Sequence, residues 1–389
     1  MRVVGSIATA GLLLAPYALG ASSASEAEVI IPNDHPLIYY HGRWDASPGT
    51  WWAGSGFKLH VQDLSTLTLN LGPHTTAPLA SVGVSVDYEP FYTVNVSAGA
   101  NVIPLNGSPS SPQMKGTASV VRINVEGWQD NRINLEAISL NKGARLLPYT
   151  PSRLAFQFIG DSLSALTSGV GSGSQGQFLP EGVNQAWPFL TGESFKAEHR
   201  VNAQPGAALS DIVSYGNEHG VSYQYFRTED TGYFYTTDHN YTTPWNFARD
   251  QPAPTHIVMH IGANDASQNV TADSFVQTYQ NFLTRLRGLY SSQPIFVFTP
   301  WGWPSADGTI SYYYQGRYER IVDERHHLGD HNVFLVNTTG WVTWEDVFPD
   351  NQHPNIPGHQ KIASLFEAWL IRWGLRPETR WATPAPLIG

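Results

Sequence analysis

The chain has 389 residues, a formal charge of −10 from 22 Lys and Arg against 32 Asp and Glu, 12% aromatics and no cysteine. Without cysteine there is no disulfide scaffold, thiol nucleophile or Cys-ligated zinc, and the acidic balance leaves no basic surplus for a phosphate backbone, so no nucleic-acid partner is expected. Hydrophobic content of 41% supports packed cores, and at roughly 150 residues per domain the length predicts two domains.

In chain order, Met1–Ala24 comes first. Arg2, an apolar run over Ile7–Leu14 and small residues at Ala18, Gly20, Ala21 and Ala24 form the pattern of a secretory signal peptide over residues 1–24. Its apolar core is shorter than the roughly 20 residues that span a bilayer, and no later stretch is long and apolar enough. A secreted, extracellular chain with no membrane span is therefore expected. Sequons at Asn95, Asn106, Asn240, Asn269 and Asn337 predict glycosylation.

Residues 30–150 read as short alternating runs broken by Gly, Pro and Asn. Phe57–Val61, Leu67–Leu71, Val82–Val86, Tyr92–Val96 and Val120–Val125 each alternate apolar and polar residues, as half-buried antiparallel strands do, and predict a β-sandwich. Gly107–Gly116 (GSPSSPQMKG) reads as a polar loop within it.

Residues 151–376 change in texture. Arg153–Ile159, His256–Ile261, Pro294–Phe298 and Val333–Val336 are compact buried-strand candidates. Helical patterns lie between them: one over Phe275–Tyr290, a second near Tyr318–Arg325, and a third opening at Pro357 with Ile362, Leu365, Phe366, Trp369 and Leu370 on one stripe. Strands alternating with helices predict an α/β domain whose parallel sheet is covered on both faces. Ser168–Gln177 reads as an insertion after the first strand, and residues 377–389 as a C-terminal tail.

The first strand runs into Gly160-Asp161-Ser162-Leu163-Ser164, placing Ser162 at a strand's carboxyl end, where open α/β sheets bind ligands. His256–Ile261 runs into Gly262-Ala263-Asn264-Asp265, and Asp350-Asn351-Gln352-His353-Pro354 precedes the last helix. With these blocks in this order, residues 154–373 resemble the SGNH (GDSL-type) hydrolases. The resemblance implies a three-layer α/β/α domain, and a nucleophile at Ser162 with His353 as its base. Ser Oγ is a weak nucleophile without an adjacent base, and an imidazole with an ordinary pKa near 6.5 suits that work. Asp350 is expected to orient His353 through Nδ1–H. The alternative is a backbone carbonyl in that place, since some related carbohydrate esterases use only a Ser–His dyad. By the same resemblance, the oxyanion donors are the N–H groups of Ser162 and Gly206 and the amide of Asn264. Asp265 is expected to fix a loop rather than act as an acid. His256 and His260 share a zinc-like spacing, but their segment reads as a strand and lacks the HExxH glutamate. No metal or cofactor is implied.

Trp301 and Trp303 follow one buried strand, and Trp341 and Trp344 another. Flat aromatics on such loops stack on sugar faces, so these four are candidate substrate-binding residues. His41-Gly42-Arg43-Trp44, Trp51–Phe57 and Asn134–Pro148, placed ahead of a hydrolase half, resemble the jelly-roll-like β-sandwich opening of carbohydrate esterase family 2. That resemblance implies an enzyme removing O-acetyl groups from xylan- or mannan-type polysaccharides or oligosaccharides through an acyl-enzyme on Ser162, and a monomer is expected. The competing expectations are a secreted lipase or phospholipase on the same fold and a non-catalytic carbohydrate-binding protein.

Overall fold

A computed structural model of the chain describes residues 28–50, 52–105, 116–127, 131–165, 179–229 and 242–385. The expected signal segment, Trp51, the sequons at Asn106 and Asn240, the Ser168–Gln177 insertion and nearly all of the Gly107–Gly116 loop lie outside these residues.

The strands that precede residue 150 are β1 (Val29–Pro32), β2 (Tyr39–His41), β3 (Gly49–Thr50), β4 (Gly56–Gln62), β5 (Leu67–Leu71), β6 (Ala80–Val86), β7 (Tyr92–Val96), β8 (Gly99–Ile103), β9 (Ala118–Val125), β10 (Ile133–Leu140) and β11 (Arg145–Leu147). They form two antiparallel sheets, one ordered β1-β10-β5-β8 with β3 on β10, the other β11-β4-β9-β6-β7 with β2 on β4. The registers, such as Leu69 opposite Ile138 and Phe57 opposite Ile123, stack Leu67, Leu69, Leu71, Phe57, Leu59, Val82 and Ile123 into one apolar core. This is the sandwich that the alternating runs predict.

In the second sheet the alternation does not mark solvent. β6 is buried along its whole length, because the second half of the chain covers the outer face of this sheet. Lys58 of β4 and Arg122 and Asn124 of β9 are therefore buried and paired across the seam. Lys58 Nζ lies 2.5 Å from Glu198, Arg122 Nη1 lies 2.7 and 2.8 Å from the two Glu193 oxygens, and Asn124 Nδ2 donates to Asn184 Oδ1 at 3.1 Å. Burial alone would push the Glu198 carboxyl up, but the Lys58 charge and hydrogen bond, together with the Ser152 N–H, hold Glu198 down to about 2. The C-terminal residues return to this seam, where Trp381 stacks on Tyr88 with ring centroids 4.4 Å apart.

The second half continues with β12 (Ala155–Gly160), α1 (Ser162–Ala165), α2 (Trp187–Ser194), β13 (Glu198–Ala203), α3 (Val221–Gln224), β14 (His256–His260), α4 (Ala263–Ser267), α5 (Ala272–Leu289), β15 (Ile295–Phe298), β16 (Trp303–Pro304), β17 (Ile310–Ser311), α6 (Arg317–His327), β18 (Val333–Val336) and α7 (Ile356–Trp373). The parallel sheet has the order β13-β12-β14-β15-β18. Helix α2 packs with α7 and α5 with α6, giving the expected α/β/α layers. Polar β13 (EHRVNA) was not anticipated from the sequence. It is an edge strand whose Glu198 and Arg200 are buried against the seam and against Asp250. In this strand order the chain reverses direction across β12 and β14, and the crevice outside their carboxyl ends is where such sheets hold ligands. Among the described residues, no helix is long and apolar enough to cross a membrane.

Candidate active site

Ser162 begins α1 immediately beyond β12. The strand end is set tightly against β14, since a Cβ at Gly160 would come within 2.6 Å of Ser164 Oγ and 2.8 Å of the His260 carbonyl. Asp161 Oδ1 accepts from the Leu163 N–H at 3.0 Å and fixes the turn. Burial, reinforced by the nearby Asp265 charge, pushes the Asp161 carboxyl up to about 7.

His353 reaches Ser162 from the loop ahead of α7. That loop is pinned by Asn355, whose Oδ1 caps α7 at the Gly358 N–H (2.9 Å) while its Nδ2 donates to the carbonyls of Glu345 and Val347. His353 Nε2 lies 2.8 Å from Ser162 Oγ. Its Nδ1 lies 2.9 Å from the backbone carbonyl of Asn351. A carbonyl can only accept, so Nδ1 carries the proton and Nε2 presents its lone pair to the serine hydroxyl. Burial holds the His353 pKa below its ordinary value, opposed by the Asn351 carbonyl and by the charge of Asp350.

The expectation that Asp350 orients His353 is corrected here. The Asp350 carboxylate is exposed, and the Nδ1 position is taken by the Asn351 carbonyl. The physical reason is local: Gln352 adopts a left-handed φ of 57°, and this tight turn folds the carbonyl of Asn351 onto the ring two residues later. Asp350 acts on the imidazole only through space.

The candidate oxyanion donors come from three adjacent strand ends. Gly206 follows β13 in a turn closed by Ala207 N–H to Gln204 O at 3.1 Å, with φ +78° at the glycine. Asn264 opens α4 after β14, and its Nδ2 donates one hydrogen to the Ala207 carbonyl at 2.9 Å, which sets the amide beside the Gly206 turn. Among the described residues, the N–H groups of Ser162 and Gly206 donate to nothing. Asp265 accepts from the N–H groups of Leu209 and Ser210 at 2.7 and 3.0 Å, tying the Gly206 loop to α4, the loop-fixing part expected of it.

The four tryptophans separate. Trp301 is only 1% exposed and stacks on His260 with centroids 3.7 Å apart, so it supports the floor of the site and is corrected as a substrate-contact candidate. Trp341 and Trp344 are partly buried against the core, Trp341 edge-on to Phe298. Trp303 stands edge-on to His353 at 5.8 Å, and Tyr313, which sequence reasoning missed, lies 6.4 Å from Trp303. His256 is buried in the strand beside Phe156 and Phe296. Among the described residues, no three His, Cys, Asp or Glu side chains come together as a metal site. Asn95, Asn269 and Asn337 are exposed.

Comparison with known proteins adds to this geometry. The family model of GDSL-like lipases/acylhydrolases matches residues 158–361. The cellulase/esterase CelE of Acetivibrio thermocellus is 23% identical over 353 residues, which cover 86% of this chain and 39% of CelE. The chain thus spans about two fifths of the length of this curated relative. A solved family two carbohydrate esterase from Clostridium thermocellum, in complex with cellohexaose, superposes with a TM-score of 0.66 at 20% identity, covering 86% of this chain and 98% of that one. An acetyl xylan esterase from the rumen bacterium Butyrivibrio proteoclasticus superposes with a TM-score of 0.67 at 16% identity, covering 89% and 99%. Both matches extend over the sandwich as well as the parallel sheet and show a shared two-part fold.

Proposed function

The chain belongs to the GDSL-like lipase/acylhydrolase family, and from that membership we propose that it is a secreted serine esterase removing O-acetyl groups from xylan- or mannan-type polysaccharides or oligosaccharides. The observation that carries the reading is the 2.8 Å contact of Ser162 Oγ with His353 Nε2, beside backbone donors that have no partner among the described residues. Ser162 Oγ attacks the acetyl carbonyl carbon while His353 Nε2 takes its proton. The carbonyl oxygen becomes an oxyanion received by the N–H groups of Ser162 and Gly206 and the free amide hydrogen of Asn264, each donor worth roughly 100- to 1000-fold in rate. The Asn351 carbonyl holds Nδ1–H and steadies the imidazolium. Collapse of the intermediate returns the proton to the departing sugar oxygen and leaves acetyl-Ser162. Water, deprotonated by His353, then attacks this ester and releases acetate.

The sugar assignment is supported by the two-part fold shared with carbohydrate esterases and by Trp303, which stands beside His353 with Tyr313 behind it. Export is supported by the N-terminal segment and the exposed sequons. Acetate release from acetylated xylan and mannan, against cleavage of long-chain esters, tests the reading: acetate from at least one glycan, abolished in Ser162→Ala, is expected. Preferential cleavage of long-chain esters, or an unchanged rate in Ser162→Ala, overturns it.

A further inference from the structure

We propose that Asn217 is a positioning residue for the oxyanion donor at Gly206, holding the 205–206 peptide in the one orientation that presents the Gly206 N–H to the reacting carbonyl. This inference rests on the esterase reading of the site.

The donor sits in the turn Gln204-Pro205-Gly206-Ala207. Pro at the second position, Gly at the third with φ +78° and an Ala207 N–H to Gln204 O bond of 3.1 Å define a type II turn. Types I and II share their ends and differ mainly by a flip of roughly 180° in the central peptide. Here that central unit is the Pro205 carbonyl joined to the Gly206 N–H. A flip reverses the N–H, so the oxyanion donor exists in one turn type and is lost in the other.

Asn217 holds the other end of this peptide. Its Nδ2 donates to the Pro205 carbonyl at 2.9 Å and to the Ser214 carbonyl at 3.1 Å. In a trans peptide the C=O and N–H point in opposite directions, so a donor anchored on the carbonyl aims the N–H away from Asn217. A donor on the carbonyl also polarises the same peptide and strengthens its N–H. Asn217 is itself immobilised: it is 1% exposed, its Oδ1 lies 3.5 Å from Gln224 Nε2, and its backbone exchanges hydrogen bonds with Ser214 at 2.9 and 3.0 Å. Tyr215 (φ +45°) and Gly216 (φ +85°) close that pair as a two-residue hairpin turn. From the same hairpin, Ser214 Oγ donates to the Gly206 carbonyl at 2.7 Å. One small hairpin thus grips the carbonyls on both sides of Gly206. The fit is close, since a Cβ on Gly206 would meet Tyr215 Cβ at 2.8 Å and Asn217 Nδ2 at 3.1 Å.

Asn217→Asp is the test, because it keeps the shape and replaces the donor with an acceptor facing the Pro205 carbonyl. Expected are a loss in kcat of roughly 10- to 100-fold, short of the full cost of a deleted donor, a KM for a soluble acetyl ester within about twofold, and a loss of affinity for a boronic acid, which forms a tetrahedral adduct on the serine, matching the loss in kcat/KM. Asn217→Ala is measured alongside, and takes its place if the aspartate variant does not fold. Wild-type kcat and boronate affinity in the folded variants overturn the proposal, as does a kcat loss with boronate affinity unchanged. A wild-type protein that neither cleaves acetyl esters nor binds the boronic acid overturns the esterase reading itself.

Discussion

Two regions of this molecule gather polar groups and use them differently: an enclosed pair of charges, Lys58 and Glu198, in the seam, and the cleft where Ser162 is buried and Gly206 half-buried. In the seam between the sandwich and the parallel-sheet half, charges meet partners: Lys58 pairs with Glu198, which also accepts from Tyr149 Oη and the Ser152 N–H at 3.0 and 3.2 Å. At the carboxyl end of the parallel sheet the N–H groups of Ser162 and Gly206 have no acceptor among the described residues. A satisfied buried network fixes geometry. Donors left open toward the cleft are the ones that a transition state can meet. The seam therefore holds the two halves of the chain together, and the cleft keeps its capacity for a developing charge.

This division can be broken from either side. The largest effect is expected in the seam: Glu198→Ala leaves Lys58 buried without its partner and costs about 3–5 kcal/mol of stability, read by urea denaturation, while kcat per folded molecule stays at the wild-type value. Exchanging both partners, Lys58→Met with Glu198→Leu, recovers part of that loss, since no buried charge is left unpaired, while the Tyr149 hydroxyl and the Ser152 N–H lose their acceptor. A matching loss of kcat in the folded single variant would mean that the seam also shapes the cleft.

A smaller effect sharpens the cleft side. The base form of His353 is the neutral imidazole, so kcat/KM falls on the acid side, about tenfold per pH unit below the His353 pKa. Burial holds that pKa under the ordinary 6.5, which puts the midpoint of the acid limb below that value in a pH–rate profile. A midpoint at or above 6.5 contradicts the burial argument.

The smallest effect separates a carbonyl-oriented dyad from a carboxylate triad. Asp350→Asn changes kcat by no more than about threefold, because an exposed charge is screened, whereas losing a triad carboxylate costs roughly 10⁴-fold. Removing the anion withdraws the influence that raises the His353 pKa, so the acid limb moves slightly lower. A loss of hundreds-fold would restore Asp350 to the role expected from its spacing.

Much of the fold was legible because its signals are local. Alternation in Leu67–Leu71 is observed as β5, the buried run Val333–Val336 as β18, and the stripe through Ile362, Phe366 and Leu370 as the buried face of α7. The order of Ser162, Asn264 and His353, each beside a strand end or helix start, was also readable. What escaped depends on tertiary surroundings. β13 is polar, which ordinarily means surface, yet Glu198 and Arg200 are buried, Glu198 against Lys58 in the seam and Arg200 beside Asp250. Every residue carries a carbonyl, so nothing in the residue types singled out that of Asn351. The left-handed turn at Gln352 decided it. Trp301 and Trp303 are two residues apart, and only the course of the loop sends one to the floor and the other to the rim. Asn217 lies in no motif, and its contact with Pro205 exists only once two turns meet.

The central claim is that acyl transfer runs through Ser162 with His353 as its base. Rapid quenching of the protein with an activated acetyl ester, followed by intact mass and peptide mapping, tests it most directly. One acetyl group is expected on the peptide carrying Ser162, formed by the wild type and absent from Ser162→Ala. An acetyl group on another residue, or the same adduct persisting in Ser162→Ala, would contradict it.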